Sequence, residues 1–264
     1  MKYSIITVSF NSEKTIERTI KSVLTQNEND YEYIIVDGAS KDSTIDIIKH
    51  NESLFEGRLR WISEPDSGIY NAMNKGIAMA KGDVIGIVNS DDWLQPDTLQ
   101  KVSKYIENYN LELKTPFIIT GNMVFHYEDG TSVGMQGSYK KYEKFAKVYR
   151  MGLNHPATFV SKKVYETIGV FDENLRLFAD ADLITRYYQA ELPIYFVDEI
   201  LSNMKDGGAS NSHSKYALQD NKYILHKYCK SETEYYWLLS KRRALALIKR
   251  ISYRWVVKYR ELLG

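Results

Sequence analysis

An open, mostly parallel α/β sheet with helices on both faces is the fold class that this sequence predicts. Short β-branched and aromatic runs alternate with segments whose apolar residues recur at helical spacing, which is typical of such a sheet. Three predicted strands end in polar residues, at Asn11-Ser12, at 37–40 and at 89–92. Ligands of open α/β sheets bind outside the carboxyl ends of the strands, so we expect these loops to meet at one crevice.

Two spacings of apolar side chains predict the elements of the first 125 residues. β-Branched and aromatic runs predict buried strands at 4–10, 31–36, 59–62, 84–88 and 117–123. Apolar residues three and four apart predict the intervening helices at 13–24, 43–49, 69–82 and 96–106. Ser43 with Asp46 resembles a capping box, and Pro96 suits a first helical turn. Pro65 and Gly68 predict a loop at 64–68.

The pattern is weaker in the second half. Residues 125–150 are polar and lack a clear period, so they predict an insertion or a mobile acceptor-side segment. Further on, strands are predicted at 157–161 and 195–197, and helices at 163–168 and 182–190. Gly207-Gly208 marks a turn, and from Tyr216 onward the pattern is helical. We therefore expect one domain over 1–210 and a helical tail over 211–264.

Composition narrows the class of protein. The 264 residues are 44% hydrophobic and 26% charged, as in soluble globular proteins. A net charge of +1 gives no reason to expect a nucleic-acid partner. Cys229 is the single cysteine, so an internal disulfide is excluded and a reducing cytosol is favoured. The N-terminus is too polar for a signal peptide, and no run reaches the ~18 apolar residues of a spanning helix. We expect a cytoplasmic protein.

Two adjacent carboxylates, Asp91 and Asp92, follow the apolar run 84–88. Carboxylates at the end of a buried strand can hold a hard divalent cation, and such a cation can neutralise a diphosphate. The alternative is a turn that caps the following helix, because Asp is common in both places. The sequence contains neither a Gly-x-Gly-x-x-Gly motif nor a Walker loop, which disfavours a Rossmann dehydrogenase or an NTPase.

Several motifs occur in order along the chain. They are Val8-Ser9-Phe10-Asn11, the segments 37–44 (DGASKDST), 63–76 (SEPDSGIYNAMNKG) and 89–92 (NSDD), then Asn154-His155-Pro156, 169–173 (GVFDE) and 180–182 (DAD). The ordered set resembles the inverting family 2 glycosyltransferases, over about residues 3–210. This resemblance implies the GT-A fold, a Rossmann-like arrangement, with a nucleotide-sugar half over about 1–123 and an acceptor half over about 124–210.

The resemblance also implies roles for individual residues. Donor contacts are expected from Val8, Ser9, Asn11, Asp37, Asp66, Gly68, Asn74, Lys75 and Asp91. Asp92 is expected to bind Mn²⁺ or Mg²⁺ directly, with Asp91 as a second ligand or nearer the ribose, and His213 is a candidate third ligand. Asp37 has an alternative as a plain turn residue, and Lys75 as a solvated helix charge.

Asp180 matches the aspartate that serves as general base in this family. The usual Glu-Asp pair is Ala179-Asp180 here, so Asp182 remains the alternate base. A helix cap is the structural alternative for Asp180. His155 is either an acceptor-side contact or an ordinary half-buried histidine.

The implied activity is a metal-dependent inverting hexosyl or N-acetylhexosaminyl transfer. The sugar moves from a nucleotide diphosphate, with a UDP-sugar as the first choice, to a saccharide or lipid-linked saccharide. We expect a place in bacterial capsule, O-antigen or exopolysaccharide synthesis. The alternatives are a non-catalytic nucleotide-sugar-binding scaffold, because the first acid of the Glu-Asp pair is missing, and a nucleotidyltransferase, although its usual triphosphate loop is absent.

The tail is basic and amphipathic. Residues 241–260 hold eight Lys and Arg residues interleaved with apolar residues and Trp255, and the first acid is Glu261. This pattern is typical of a helix lying on an anionic membrane surface. It would place the protein at the inner face of the plasma membrane. The alternative is a helix that packs on the catalytic domain or forms a dimer contact.

Overall fold

The computed structural model describes residues 2–207 and 215–245 of the chain. Its contacts divide the chain into two units, Met1–His213 and Ser214–Gly264. The first unit is a mixed α/β domain with a nine-stranded sheet, and the described part of the second unit is helical. The predicted α/β class with a C-terminal helical tail is thereby confirmed.

The observed elements follow the predicted alternation. The strands are β1 (Tyr3–Ser9), β2 (Tyr31–Asp37), β3 (Leu59–Ser63), β4 (Val84–Ile87), β5 (Trp93–Leu94), β6 (Ile118–His126), β7 (Ser132–Met135), β8 (Thr158–Ser161) and β9 (Ile194–Lys205). The helices are α1 (Ile16–Leu24), α2 (Thr44–Glu52), α3 (Ile69–Met79), α4 (Thr98–Asn108), α5 (Tyr139–Ala146), α6 (Lys162–Ile168), α7 (Ala179–Gln189) and α8 (Lys215–Tyr228). A further helical segment covers 232–245.

The sheet has the order β3-β2-β1-β4-β8-β6-β9-β5, and β7 pairs with β6. The first four strands in this order are parallel to one another, and β8 is antiparallel to both of its neighbours. In the parallel part, Ser9 pairs with Asp37 and Asp37 pairs with Ser63. The register therefore places three polar residues in one row at the carboxyl edge of the sheet.

Burial on both faces accounts for the strand sequences of the parallel part. All residues of β1 and β2 are buried, which matches their continuous β-branched and aromatic runs. Helix α3 lies close to β1 at Gly76, where an added Cβ would stand 2.5 Å from Cγ2 of Ile6. A glycine at this position thus sets the depth at which α3 packs on the sheet.

Some local predictions were wrong. Residues 125–150 contain the end of β6, β7 and α5, and β7 escaped recognition because an exposed edge strand has no apolar alternation. Strand β9 is twelve residues long because it also pairs with β5 and runs past a register shift opposite Asn122. Ser43 makes no side-chain capping bond, and Oδ1 of Asp42 accepts the hydrogen bond from the Thr44 N–H instead, at 3.1 Å.

The second unit is a pair of helical segments over its described residues. The rings of His226 and Tyr235 stack at 4.2 Å, and Nη1 of Arg242 donates to Oδ1 of Asn221 at 2.5 Å. Within residues 2–207 and 215–245, no helix combines the length and apolarity that a membrane crossing requires. Of the basic stretch 241–260, only 241–245 fall among these residues.

Candidate active site

The three polar loops that follow β1, β2 and β4 meet at the carboxyl edge of the sheet. Asn11 joins the first two loops, because its N–H donates to Oγ of Ser40 at 2.8 Å and its Oδ1 accepts from the Lys41 N–H at 2.9 Å. Asn11 adopts a positive φ of 49°, which Asn tolerates better than most residues. The hydroxyls of Ser12 and Ser90 are 2.8 Å apart and join the first loop to the third.

Asp37 is completely buried between the ends of β1, β2 and β3. Its two carboxylate oxygens accept hydrogen bonds from the hydroxyls of Ser9, Ser40 and Ser63 and from the Ser40 N–H. A carboxylate has about four acceptor positions, and these donors take all of them. Asp37 therefore holds the ends of these three strands together at the wall of the crevice, and Ser9 is one of its hydrogen-bond donors.

The loop 64–68 forms a second wall and depends on two glycines. Oδ1 of Asp66 accepts from the Gly68 N–H at 2.8 Å, and a Cβ at Gly38 would stand 2.6 Å from Oδ2 of Asp66. The carboxylate of Asp66 can therefore lie over Gly38 only because position 38 has no side chain. Gly68 has φ 134° and ψ 172°, a backbone region that is essentially reserved for glycine.

Asn74 and Lys75, expected at the donor, contact the protein itself. Nδ2 of Asn74 donates to the Phe171 carbonyl at 2.9 Å, and Oδ1 accepts from the Phe171 N–H at 3.0 Å. Nζ of Lys75 pairs with Glu64 at 2.7 Å and donates to the Pro65 carbonyl at 3.1 Å. Both side chains therefore support the loops around the crevice through these bonds.

Phe10 is a crevice residue that the site prediction left out. Its ring is 63% exposed although it directly follows the buried strand β1, and it lies beside Gly38. Val8, two residues earlier, is buried. The signal was present in the sequence, because an aromatic residue at the polar end of a predicted strand has no core to enter.

Asp92 is the buried member of the carboxylate pair, with 1% exposure. Its Oδ1 accepts from the Lys205 N–H at 3.2 Å, and its carbonyl accepts from Oγ1 of Thr19 at 2.6 Å. Burial and the neighbouring charge of Asp91 raise the pKa of Asp92 to about 8. Burial also raises the pKa of Asp91, against the attraction of Arg18 and Lys205. Both residues thus pay a desolvation cost that a cation would offset.

The donor set around Asp92 fits a hard divalent cation. Oδ1 of Asn89 is buried and has no hydrogen-bond partner among the described residues, and Nδ2 of the same amide lies 3.4 Å from Oδ2 of Asp92. Carboxylate and amide oxygens are the ligands that Mg²⁺ and Mn²⁺ prefer. Residues 2–207 and 215–245 hold no group of three or more His, Cys, Asp and Glu suited to a metal. His213, the predicted third ligand, lies outside them.

A stack of side chains packs beside the loop 89–92. The guanidinium of Arg18 lies 3.5 Å from the ring centre of Trp93, and its Nη2 donates to the Asp91 carbonyl at 3.0 Å. The other neighbour of Trp93 is His126, with ring centres 4.8 Å apart. Nε2 of His126 donates to Oδ1 of Asn203 at 3.0 Å. Helix α1, β6 and β9 therefore all hold this loop.

Asp180 is the second residue of α7, so it lies two positions after the N-cap. The N-cap position belongs to Phe178, and Oδ1 of Asp180 accepts from the Ala181 N–H at 2.7 Å. Asp182 is fully buried, and its Oδ2 accepts from Nε of Arg186 at 2.9 Å. Of the two candidate bases, Asp180 is the half-buried one at the helix N-terminus, and Asp182 is held in an ion pair.

A cavity lies beside the end of β4, the strand that precedes Asp91 and Asp92. Asp180 and His155 line it together with Ile87, the last residue of β4. Asn154 orients this corner, because its Nδ2 donates to the carbonyls of Gly121 and Met135 at 2.9 and 3.0 Å. Burial lowers the pKa of His155 to about 4, so the imidazole is neutral at pH 7.

The chain matches the sequence model of one protein family over more than half of its length. The model of glycosyl transferase family 2 matches residues 4–169. The chain belongs to glycosyl transferase family 2. The predicted enzyme class is thereby confirmed, and this family 2 protein is a glycosyltransferase.

Relatives and solved structures agree with that assignment. A PGL/p-HBAD biosynthesis glycosyltransferase of Mycobacterium bovis is 26% identical over 204 residues, which are 73% of this chain and 76% of that protein. Among crystal structures, S. aureus TarS 1-349 in complex with UDP-GlcNAc matches with a TM-score of 0.69 and 19% identity, over 91% of this chain and 71% of the other. The mannosyltransferase PcManGT from Pyrobaculum calidifontis in complex with GDP-Man and Mn²⁺ matches with a TM-score of 0.60 and 14% identity, over 90% and 68%. The predicted GT-A fold of this family 2 glycosyltransferase is confirmed.

His155 is expected to make the stability of this glycosyltransferase sensitive to acid. Its folded pKa of about 4 lies below the ordinary 6.5, so the unfolded chain binds more protons between these values and stability falls as the pH drops through them. The loss attributable to His155 between pH 7 and pH 5 is about 2 kcal/mol. Urea unfolding at both pH values measures it, and His155→Gln should lose correspondingly less. Equal losses in the two proteins would contradict the prediction.

Proposed function

We propose that this protein transfers a sugar from a nucleotide diphosphate to an acceptor hydroxyl with divalent-metal dependence and inversion. The observation that carries the proposal is the cavity that Asp180 shares with Ile87, at the end of the strand leading to Asp91 and Asp92. The cavity places a carboxylate that can take a proton beside the end of β4, and the carboxylate pair that can serve a leaving diphosphate follows that strand. Inverting sugar transfer needs these two functions on opposite sides of one sugar.

The donor is expected over the edge of β1, between the loops at 37–40 and 64–68. The exposed ring of Phe10 offers a stacking face to a nucleobase, and Asn11, Asp66 and Gly68 border the same crevice. The TarS structure holds UDP-GlcNAc and the PcManGT structure holds GDP-Man, which supports a nucleotide-sugar donor here. We retain a UDP-sugar as the first choice.

Asp92 and Asp91 would hold Mn²⁺ or Mg²⁺, and the Asn89 amide oxygen is a further candidate ligand. The bound cation would supply neutralisation of the charge that develops on the diphosphate. Asp92 and Asn89 are oriented for this task by the Lys205 N–H and by their own contact. The Mn²⁺ in the PcManGT structure supports a divalent metal.

Asp180 would accept the proton of the attacking hydroxyl. Its carboxylate lies in the first turn of α7, where the helix dipole favours negative charge. One displacement from the face opposite the diphosphate inverts the anomeric carbon, and the proton ends on Asp180. His155, neutral at pH 7, can donate or accept one hydrogen bond beside it, so we place it on the acceptor side.

The acceptor proposed is a saccharide or lipid-linked saccharide of bacterial polysaccharide synthesis. The segment over about 124–210 is proposed to form this side, because Asp180 and His155 both belong to it. A non-catalytic nucleotide-sugar scaffold remains the alternative, since Ala179 stands where the family usually has Glu. Family membership disfavours the nucleotidyltransferase hypothesis.

A donor panel tests the function. UDP-, GDP- and dTDP-sugars are incubated with the protein and Mn²⁺, and released nucleotide is measured with and without oligosaccharide acceptors. The proposal expects release from a UDP-sugar that stops when the metal is chelated. Calorimetric binding of UDP without release from any donor would favour the scaffold. No binding of any nucleotide would overturn both.

Phe10→Ala is expected to weaken UDP binding about 10- to 100-fold, because base–aromatic stacking contributes about 1–3 kcal/mol. The exposed ring packs into no core, so the melting temperature should stay unchanged. Calorimetry with UDP and Mn²⁺ measures the effect, and Phe10→Tyr, which keeps the stacking face, is the matched control. Unchanged UDP affinity in Phe10→Ala would show that the nucleobase does not stack on this ring.

The tail is proposed to bind an anionic membrane surface. On the described helix 232–245, Tyr236 and Trp237 are 61% and 58% exposed, and Nζ of Lys241 lies 4.7 Å above the Trp237 ring. Interfacial aromatic residues beside cations suit such a surface. Sedimentation with phosphatidylglycerol liposomes, but not with phosphatidylcholine liposomes, is expected for the full chain and lost on removal of 241–264. Equal sedimentation of both proteins would contradict it.

A further inference from the structure

Residues 171–176, which lead into the helix carrying Asp180, are fastened to the first turns of α3. Phe171 stacks on Tyr70 with ring centres 5.5 Å apart, and its backbone N–H and carbonyl both bond the amide of Asn74. Nη1 of Arg176 donates to the carbonyl of Ser67, in the loop before α3. The loop 64–68, which we call the donor loop, and the segment 171–176 before Asp180 are therefore held against each other and against α3.

Glu173 is the polar centre of this connection. Its Oε1 accepts from Nδ2 of Asn74 at 2.8 Å, and its Oε2 accepts from Nδ2 of Asn71 at 2.9 Å. The partners are 99 and 102 residues distant in sequence. Asn71 also reaches the donor loop, because its Oδ1 lies 3.4 Å from the Ser67 N–H. Hydrogen bonds to a charged acceptor are about twice as strong as neutral ones, so one carboxylate fixes two amides.

We propose that Glu173 is a positioning residue that sets the place of Asp180 relative to the donor loop 64–68. The inference rests on the proposed role of Asp180 as the base. Six residues separate Glu173 from Asp180, and the intervening Arg176 is itself bonded to the donor loop. A shift of α3 and its loop is therefore passed to the start of α7 through Glu173 and Arg176. Misplacement of a reacting group by 1 Å can cost about 100-fold in rate, so this link acts on turnover.

Exchanging the carboxylate of Glu173 with the amide of Asn71 tests this proposal. In Glu173→Gln, one amide hydrogen must face the Nδ2 of Asn71 or Asn74, so at least one of the two bonds is lost. In the double variant Asn71→Asp with Glu173→Gln, the carboxylate and the amide change places and both bonds can form again. Glu166→Gln is the matched control, because Glu166 is exposed like Glu173 and its carboxylate pairs with Lys163 of its own helix α6.

Steady-state transfer from the donor identified in the panel gives the first readout. Glu173→Gln is expected to lower kcat about 10- to 100-fold with a donor KM within about twofold of wild type. The double variant should recover to within about threefold, and Glu166→Gln should match wild type. An unchanged kcat in Glu173→Gln, a change confined to the donor KM, or no recovery in the double variant would overturn the proposal.

Hydrogen–deuterium exchange without ligand separates this inference from the proposed function. Faster exchange is expected in peptides covering 64–71 and 171–180 of Glu173→Gln, with restoration in the double variant. Unchanged exchange in both peptides would overturn the link even in an active enzyme. If Glu173→Gln exchanges faster but the wild-type protein transfers no sugar, the link stands and the proposed function is refuted.

Discussion

Asp92→Asn is expected to lower metal-dependent sugar transfer at least about 1000-fold while leaving the fold intact. A metal ligand that stabilises a developing diphosphate charge contributes several kcal/mol to the transition state, and about 4 kcal/mol is 1000-fold. The fold should hold because the asparagine oxygen can still accept from the Lys205 N–H. Burial and the charge of Asp91 raise the pKa of Asp92 to about 8. Replacing this buried carboxylate with a neutral amide therefore also removes a desolvation cost.

Turnover and thermal unfolding together check this prediction. Mn²⁺ with UDP should raise the melting temperature of the wild type and leave that of Asp92→Asn unchanged, because only a ligand that binds the folded state stabilises it. Asp91→Asn is the comparison variant. Asp91 is the less buried of the pair, so we expect a smaller loss of turnover. Intact metal-dependent turnover in Asp92→Asn would show that Asp92 is not a ligand.

Asp180→Asn is expected to lower kcat about 100- to 10,000-fold with unchanged UDP affinity. General-base catalysis contributes rate factors of this size, and an amide cannot take the proton. The local structure should persist, because an asparagine oxygen can still accept from the Ala181 N–H. Single-turnover transfer and calorimetry with UDP separate the chemical step from donor binding.

Asp182→Asn separates the two candidate bases. Asp182 is buried against Arg186, so its loss should lower the free energy of unfolding by about 3 kcal/mol and leave kcat of the folded protein near wild type. A large loss of kcat in Asp182→Asn with an active Asp180→Asn would assign the base to Asp182. Chemical denaturation at pH 7 measures the stability difference.

The loops at the carboxyl edge of the sheet could be predicted from the sequence alone. Continuous apolar runs could only be buried strands, and the polar residues after them had to lie at their ends, so the meeting of the loops at 11–12, 37–40 and 89–92 followed from local pattern. The pattern failed where pairing is nonlocal. Strand β7 is exposed, and β9 gains its length from β5 and β6, which lie far away in sequence.

By itself, the sequence determined the class of fold, the family and the edge at which a site forms, because apolar periodicity, strand ends and the order of the motifs are all present in the linear chain. The contacts of individual polar residues were decided only by the tertiary structure. Asn74, Lys75 and Asp37 are all predicted donor contacts, and that prediction did not include the bonds that they make to Phe171, Glu64 and three serines. A side chain's partner is whichever group the fold brings within hydrogen-bond distance, and for Asn74 that group is 97 residues away in sequence.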